Sequence, residues 1–220
     1  MKPMIAADLL TIAKPLPRYA AAWTIATAGT CLLTGCAPVT VLFVGFLMPH
    51  MLALTLYAAD EKNGWSAYRQ ALPLTRTDAV CGRYAVIAML GVLSAALGAL
   101  AYAAACALTA VMPDLAITGA ASLGFDAAGL ATYSCIGFVV LLVIFAIVLP
   151  LTFSTGSMRV LQYLSFVFLL AIGVFIGPLA NVAQTMHTMP GGIALLLLAA
   201  LALYGASGAL ALKRYRRRDL

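Results

Sequence analysis

Charge is almost absent from this chain except between long apolar runs, and that single feature leaves few folds open. The runs cover about Tyr19 to Cys36, Pro38 to Ala58, Asp78 to Met112, Ala128 to Leu149, Met158 to Leu179 and Gly191 to Leu212. Each is roughly 20 residues or more, the length that a hydrocarbon core about 30 Å thick requires of a helix. They are continuous rather than alternating, which excludes the strands of an outer-membrane barrel, and a helix satisfies its backbone polar groups within its own segment. Composition agrees, with 64% hydrophobic and 9% charged residues and a mean hydropathy of +1.05. The prediction is an all-α polytopic membrane protein, one transmembrane domain over 1–220 with six transmembrane helices. The third run is longer than a bilayer needs: at 1.5 Å per residue it extends roughly 50 Å, so one end projects or tilts.

Lysine and arginine set the orientation. All 13 fall at the amino end (Lys2, Lys14, Arg18), in the second connection (Lys62, Arg69, Arg76, Arg83), in the fourth (Arg159) or in the tail (Lys213, Arg214, Arg216, Arg217, Arg218). The opposite loops carry Asp114 and Asp126 and no cation, so both termini and the second connection are expected in the cytoplasm. The net charge of +6 therefore follows membrane topology, and no nucleic-acid partner is expected, because the cations flank spans instead of forming a soluble basic domain.

The layout follows from these runs. Residues 1–18 precede the first span, and Ile5, Leu9, Ile12 and Leu16 repeat at helical spacing among Lys2, Asp8 and Lys14. That pattern predicts an amphipathic helix lying in the interface, stopped by Pro15 and Pro17, and too short and polar for a signal peptide. Spans one and two fill 19–58, a cytoplasmic connection 59–77, spans three and four 78–149, a turn 150–157, spans five and six 158–212, and a basic tail 213–220.

The long charged interval from Asp60 to Tyr84 is the chain's candidate docking element. Asp60 and Glu61 suit the first turn of a new helix, with Asn63 or Ser66 as its cap. Trp65, Tyr68 and Leu72 then share one face, flanked by Lys62 and Arg69, and Pro73 ends the helix. Thr75 and Asp78 form a T-x-x-D capping pattern ahead of the third run. Spacing alone favours reading Trp65 and Tyr68 as an aromatic anchor at headgroup level over a docking face.

Elsewhere the interior is sparse. No Asp, Glu, Lys or Arg falls near the middle of a run, which argues against an ion-coupled carrier, and His50 beside Pro49 is the one ionisable group read at depth. A histidine bonded to a neighbouring helix and one lining a path are both open readings. Thr27, Thr30 and Thr34, with Thr24, put hydroxyls on the first run, as path lining or as bonds back to their own helix. Ala95, Ala99, Ala103 and Ala107, and the Gly173-x-x-x-Gly177 pair, signal close helix packing, within one subunit or at a dimer seam. The five cysteines, Cys31, Cys36, Cys81, Cys106 and Cys135, form no C-x-x-C pair or Cys/His cluster, so packing is expected of them and no metal. Enzyme chemistry has no foothold: no lysine sits in a Gly-Lys-Ser/Thr loop, and there is no H-E-x-x-H or G-x-S-x-G.

The pattern D-E-K-x-x-W-x-x-Y-x-x-x-L-P-x-[ST]-R from Asp60, followed by a helix opening near Arg83 and Tyr84, resembles the loop between the second and third membrane helices of ABC-2 type transporter permeases. Pro150 to Arg159 is similar to the cytoplasmic turn of a small six-helix subgroup that includes exporters of amphipathic peptides such as the phenol-soluble modulins. The ending ALKRYRRRDL is similar to that subgroup's basic terminus. Ser154 to Met158 departs from it in lacking lysines. The resemblance implies a short cytoplasmic coupling helix between helices 2 and 3, and a permease dimer, homo- or heteromeric, that exports an apolar or amphipathic cargo. A separate ABC ATPase subunit would bind ATP and Mg, so no cofactor is expected in this chain. It would be contacted through Asp60, Glu61, Lys62, Trp65, Tyr68, Arg69, Leu72, Pro73 and Arg159, while 181–190 would help close an outer gate. Two other classes fit the same layout: a toxin-immunity or membrane-sensing protein using that cytoplasmic helix for a signalling partner, and an ion-coupled carrier.

Overall fold

A computed structural model describes residues 2–33, 37–64, 75–112, 125–155 and 191–216, with 162–163, 166–167, 181 and 185 besides. Six helices carry this described chain, which contains no strand: α1 (Lys2–Ala13), α2 (Leu16–Leu33), α3 (Thr40–Lys62), α4 (Arg76–Val111), α5 (Ala127–Thr155) and α6 (Gly192–Arg216). Helices α2 to α5 stand at the first four expected spans and α6 at the sixth; nearly all of the fifth lies outside the described residues. Among them α4, α5 and α6 are long and apolar enough to cross a membrane. Helix α2 is only 18 residues long and carries Arg18 with three threonines.

Local chemistry sets the helix ends. Thr75 is extended and its Oγ1 accepts the Asp78 amide at 3.1 Å, which is the expected cap, and α4 then runs about 54 Å at 1.5 Å per residue over its 36 residues. Asp126 starts α5, its carboxylate accepting the Gly129 amide at 2.8 Å. Four expected boundaries need correcting. Asp60 and Glu61 do not open a new helix: with no breaker before Gly64, α3 continues past Ala58 to Lys62, and Asn63 is its C-cap. Gly64 follows at φ 59°, donating to the Glu61 carbonyl at 3.3 Å in the manner of a helix-ending glycine. Pro17 does not stop a helix but sits in the first turn of α2, where a missing amide costs nothing; Arg18 and Tyr19 bond the Pro15 carbonyl instead. Helix α6 reaches Arg216, so Lys213 and Arg214 extend it as exposed residues.

The fourth correction concerns Pro150, which lies inside α5 rather than beginning a turn. A proline there cannot donate to the carbonyl four residues earlier, and an open carbonyl is costly in an apolar interior. That carbonyl belongs to Ala146, and the Ser207 hydroxyl of α6 donates to it. Having spent its proton, Ser207 accepts from the Tyr84 hydroxyl of α4 at 2.9 Å, while Tyr204 donates to the Tyr84 carbonyl at 2.8 Å. One buried polar chain thus joins α4, α5 and α6.

Of the three long apolar helices α5 is the most buried and α6 the most exposed, so α5 is the axis of the described bundle. Leu141, Leu142, Phe145, Val148 and Leu149 fill the largest core, with Tyr84, Ile87 and Tyr204 packed on them. A second core joins Ile12 of α1, Met48, Leu52 and Leu56 of α3, and Val86 and Leu90 of α4. The inner face of α4 runs through Gly91, Ser94, Gly98, Ala101 and Ala105, all buried. Gly91 meets Leu141 and Phe138 of α5 and Gly98 meets Val41 of α3 so closely that a β-carbon would crowd them. The alanine stripe flanks this face: Ala95, Ala99 and Ala103 are half-buried and Ala107 exposed.

Candidate functional site

Where α1 lies, α3 ends and α4 begins, the structure gathers charges that the apolar runs had concealed. Gly82 of α4 lets α1 come close, since a β-carbon there would stand 2.9 Å from Met4 Cγ. The side of α1 that packs inward is Met4, Asp8 and Ile12, all nearly inaccessible. This corrects the expected apolar stripe of Ile5, Leu9, Ile12 and Leu16: the inward face is turned toward Met4 and carries a carboxylate. Asp8 faces Arg83, the next residue after Gly82 and only 1% exposed, with 3.2 Å between Asp8 Oδ2 and Arg83 Nε.

Arg83 also reaches α3. Its terminal nitrogen donates to Asp60 Oδ2 at 2.6 Å, and its guanidinium carbon lies 4.8 Å from the centroid of the Tyr57 ring, a cation over an aromatic face. The Tyr57 hydroxyl continues the network to Thr152 of α5 at 3.2 Å; because Thr152 donates to the Leu149 carbonyl, Tyr57 is the donor. One guanidinium therefore ties α1 and α3 to α4, and through Tyr57 to α5. A buried cation between two carboxylates has a large desolvation cost, which only near-complete pairing offsets. These charges are buried at one end of the bundle, outside the middle of the runs, which the sequence reads as uncharged.

Arg83 and Asp60 stand on either side of the candidate docking stretch, so its two ends are clamped to each other and to α1. Of the residues expected to meet a partner, Asp60 turns partly inward to Arg83, while Glu61 and Lys62 are exposed on the last turn of α3. Trp65, Tyr68, Arg69, Leu72, Pro73 and Arg159 lie outside the described residues, as do Thr34, Gly173 and Gly177. Thr27 is buried and Thr30 exposed, and both bond back to α2, at 2.7 Å to the Trp23 carbonyl and 2.9 Å to that of Ala26. His50 is buried on α3, its ring 5.8 Å from that of Phe145.

Among the described residues, grooves open at this end in two places. One, of about 340 Å³, lies between α4 and α6 beside Tyr84 and Tyr204, with Gly205 and Gly208 on its wall. The other, of about 540 Å³, sits where α1 meets α2, against Thr55 and Ala59 of α3. Neither is lined by Thr27, Thr30 or His50. Sequence reasoning missed Asp8, Tyr57 and Ser207 as structural partners. The signal for Asp8 was present in Met4-x-x-x-Asp8-x-x-x-Ile12, an acidic residue in step with two large apolar ones.

A profile described as ABC-2 family transporter protein matches residues 3–216. No curated protein and no solved structure matches the chain.

Proposed function

The chain belongs to the ABC-2 transporter family, and from that membership we propose that it is the membrane-spanning permease subunit of an ATP-driven exporter. The family generally works with an ABC ATPase, so ATP and Mg would be handled by a separate subunit. The permease chains would form a homodimer or heterodimer in the bacterial plasma membrane, with both termini cytoplasmic. The cargo would be apolar or amphipathic, a peptide, lipid-like molecule or drug, in keeping with the lack of charge in the middle of the runs.

The observation that carries this reading is the clamp at Arg83. A docking element transmits force only if its ends are fixed to the helices that must move, and Asp60 and Arg83 fix both ends of 61–82 to α3, α4 and α1. In this reading Glu61, Lys62, Trp65, Tyr68, Arg69, Leu72 and Pro73 form the coupling element, with Arg159 as a second contact. ATP-driven closure of the ATPase would tilt the spans between inward-open and outward-open forms, provided that ATP and cargo bind the two forms with different affinity. The test is co-purification from mild detergent with the ABC ATPase co-expressed, comparing wild type with Trp65→Ala plus Tyr68→Ala. Retention of the ATPase by wild type and its loss from a folded, inserted double variant is expected; a folded wild type that retains no ATPase overturns the reading.

A further inference from the structure

The groove at the elbow between α1 and α2 is lined by charged and hydroxyl side chains as well as apolar ones. Its rim carries Lys14 and Arg18, and Tyr19 and Thr55 lie deeper, with Ala22 and Ala59 beside them. Among the described residues neither cation has an ion-pair partner, in contrast to Arg83 close by. The hydroxyls divide in the same sense. Thr11 spends its proton on the Ala7 carbonyl and Thr55 on that of Met51, each at 2.9 Å. The Tyr19 hydroxyl lies 3.4 Å from Thr55 Oγ1, whose proton is already spent on Met51; the phenol is therefore the donor in that contact, which is too long to hold its proton firmly against an anion in the groove. The groove thus presents two cations and a phenolic donor, a set that complements phosphate.

A track for a hydrocarbon chain leads away from these donors. Arg18, Ala22, Ile25 and Gly29 follow one another at helical spacing along α2; the first three are exposed, and nothing lies within 4 Å of a β-carbon built at Gly29. Ala22 lines the cationic groove, and Ile25 and Gly29 continue from it as an open apolar strip on the same side of α2. We propose that this elbow binds an anionic phospholipid, its headgroup phosphate between Lys14, Arg18 and Tyr19 and one acyl chain along the Ala22 to Gly29 side of α2. The assignment goes beyond transport: it needs α2 to lie in a bilayer but is independent of cargo and of the ATPase.

The test is native mass spectrometry of the full chain titrated with phosphatidylglycerol or phosphatidylcholine. Wild type is expected to retain phosphatidylglycerol preferentially, and Lys14→Gln and Arg18→Gln each to weaken retention about fivefold. Tyr19→Phe, which keeps the ring packed, should weaken it severalfold, and the exposed control pair Lys213→Gln plus Arg214→Gln should leave it unchanged. Equal retention of the two lipids, equal retention by wild type and the Lys14/Arg18 double variant, or an equal loss in the control pair would overturn the site. Competition by millimolar inorganic phosphate, or loss of a co-expressed ATPase with lipid retention intact, would overturn the lipid assignment in favour of a free anion or an acidic protein surface.

Discussion

Arg83 and Tyr84 are neighbours in sequence that serve different sides of α4, the first toward α1 and α3, the second toward α6. For Arg83 the expectation is asymmetric. Arg83→Ala leaves Asp8 and Asp60 facing each other without their shared cation and should cost about 3–5 kcal/mol, the penalty for breaking a buried ion pair. Asp8→Asn keeps the Asp60 bond and should cost less than half as much, with Arg83→Lys between them because an ammonium lacks the planar fork. Thermal unfolding in detergent checks the order, and equal melting of the alanine variant and wild type would mean that the node holds nothing together. The sequence marked Arg83 as a cation at the inner end of a span and as part of a helix opening, not as a buried partner of two carboxylates. Its burial was illegible because Asp8 and Asp60 lie far from it in the chain, and only the helix packing brings them to it.

Between elements, the informative pair is Pro150 and Ser207. Pro150→Ala would restore the amide that the Ala146 carbonyl lacks, so Ser207→Ala should become less damaging by about 1 kcal/mol in the Pro150→Ala background. A double-mutant cycle reads this directly, and simple additivity would refute the link. Legibility here depended on range. The Thr75 to Asp78 cap was readable because both partners lie within one turn, and the long third run because its apolar length is continuous. The passage of α5 through a proline was not readable, since the group that compensates for it belongs to another helix.

At the scale of the whole molecule, the clamp makes α1, the end of α3 and the start of α4 one lever. A cross-link between α1 and α4 should therefore be tolerated during transport. Met4 Cβ lies 3.2 Å from a β-carbon built at Gly82, close enough for Met4→Cys and Gly82→Cys to form a disulfide after small adjustment, in a Cys81→Ser background. If the chain exports its cargo as proposed, ATP-dependent export from vesicles should survive oxidation; a block reversed by reductant would show that α1 must slide on α4. The all-helical build and the membrane setting were plain in the apolar runs, whereas the cross-helix polar ties were not, because each joins residues that are ordinary in their own segment. Those ties also bear on how the chain is made. A nascent chain that has emerged only through α5 carries an Ala146 carbonyl with no donor, and the seryl group that completes it has yet to be synthesised. Helix α6 is then a late stitch rather than an appendage. Until it arrives, α5 should remain at the insertion machinery or be cleared by membrane proteolysis, and chains truncated before Ser207 should fail to accumulate.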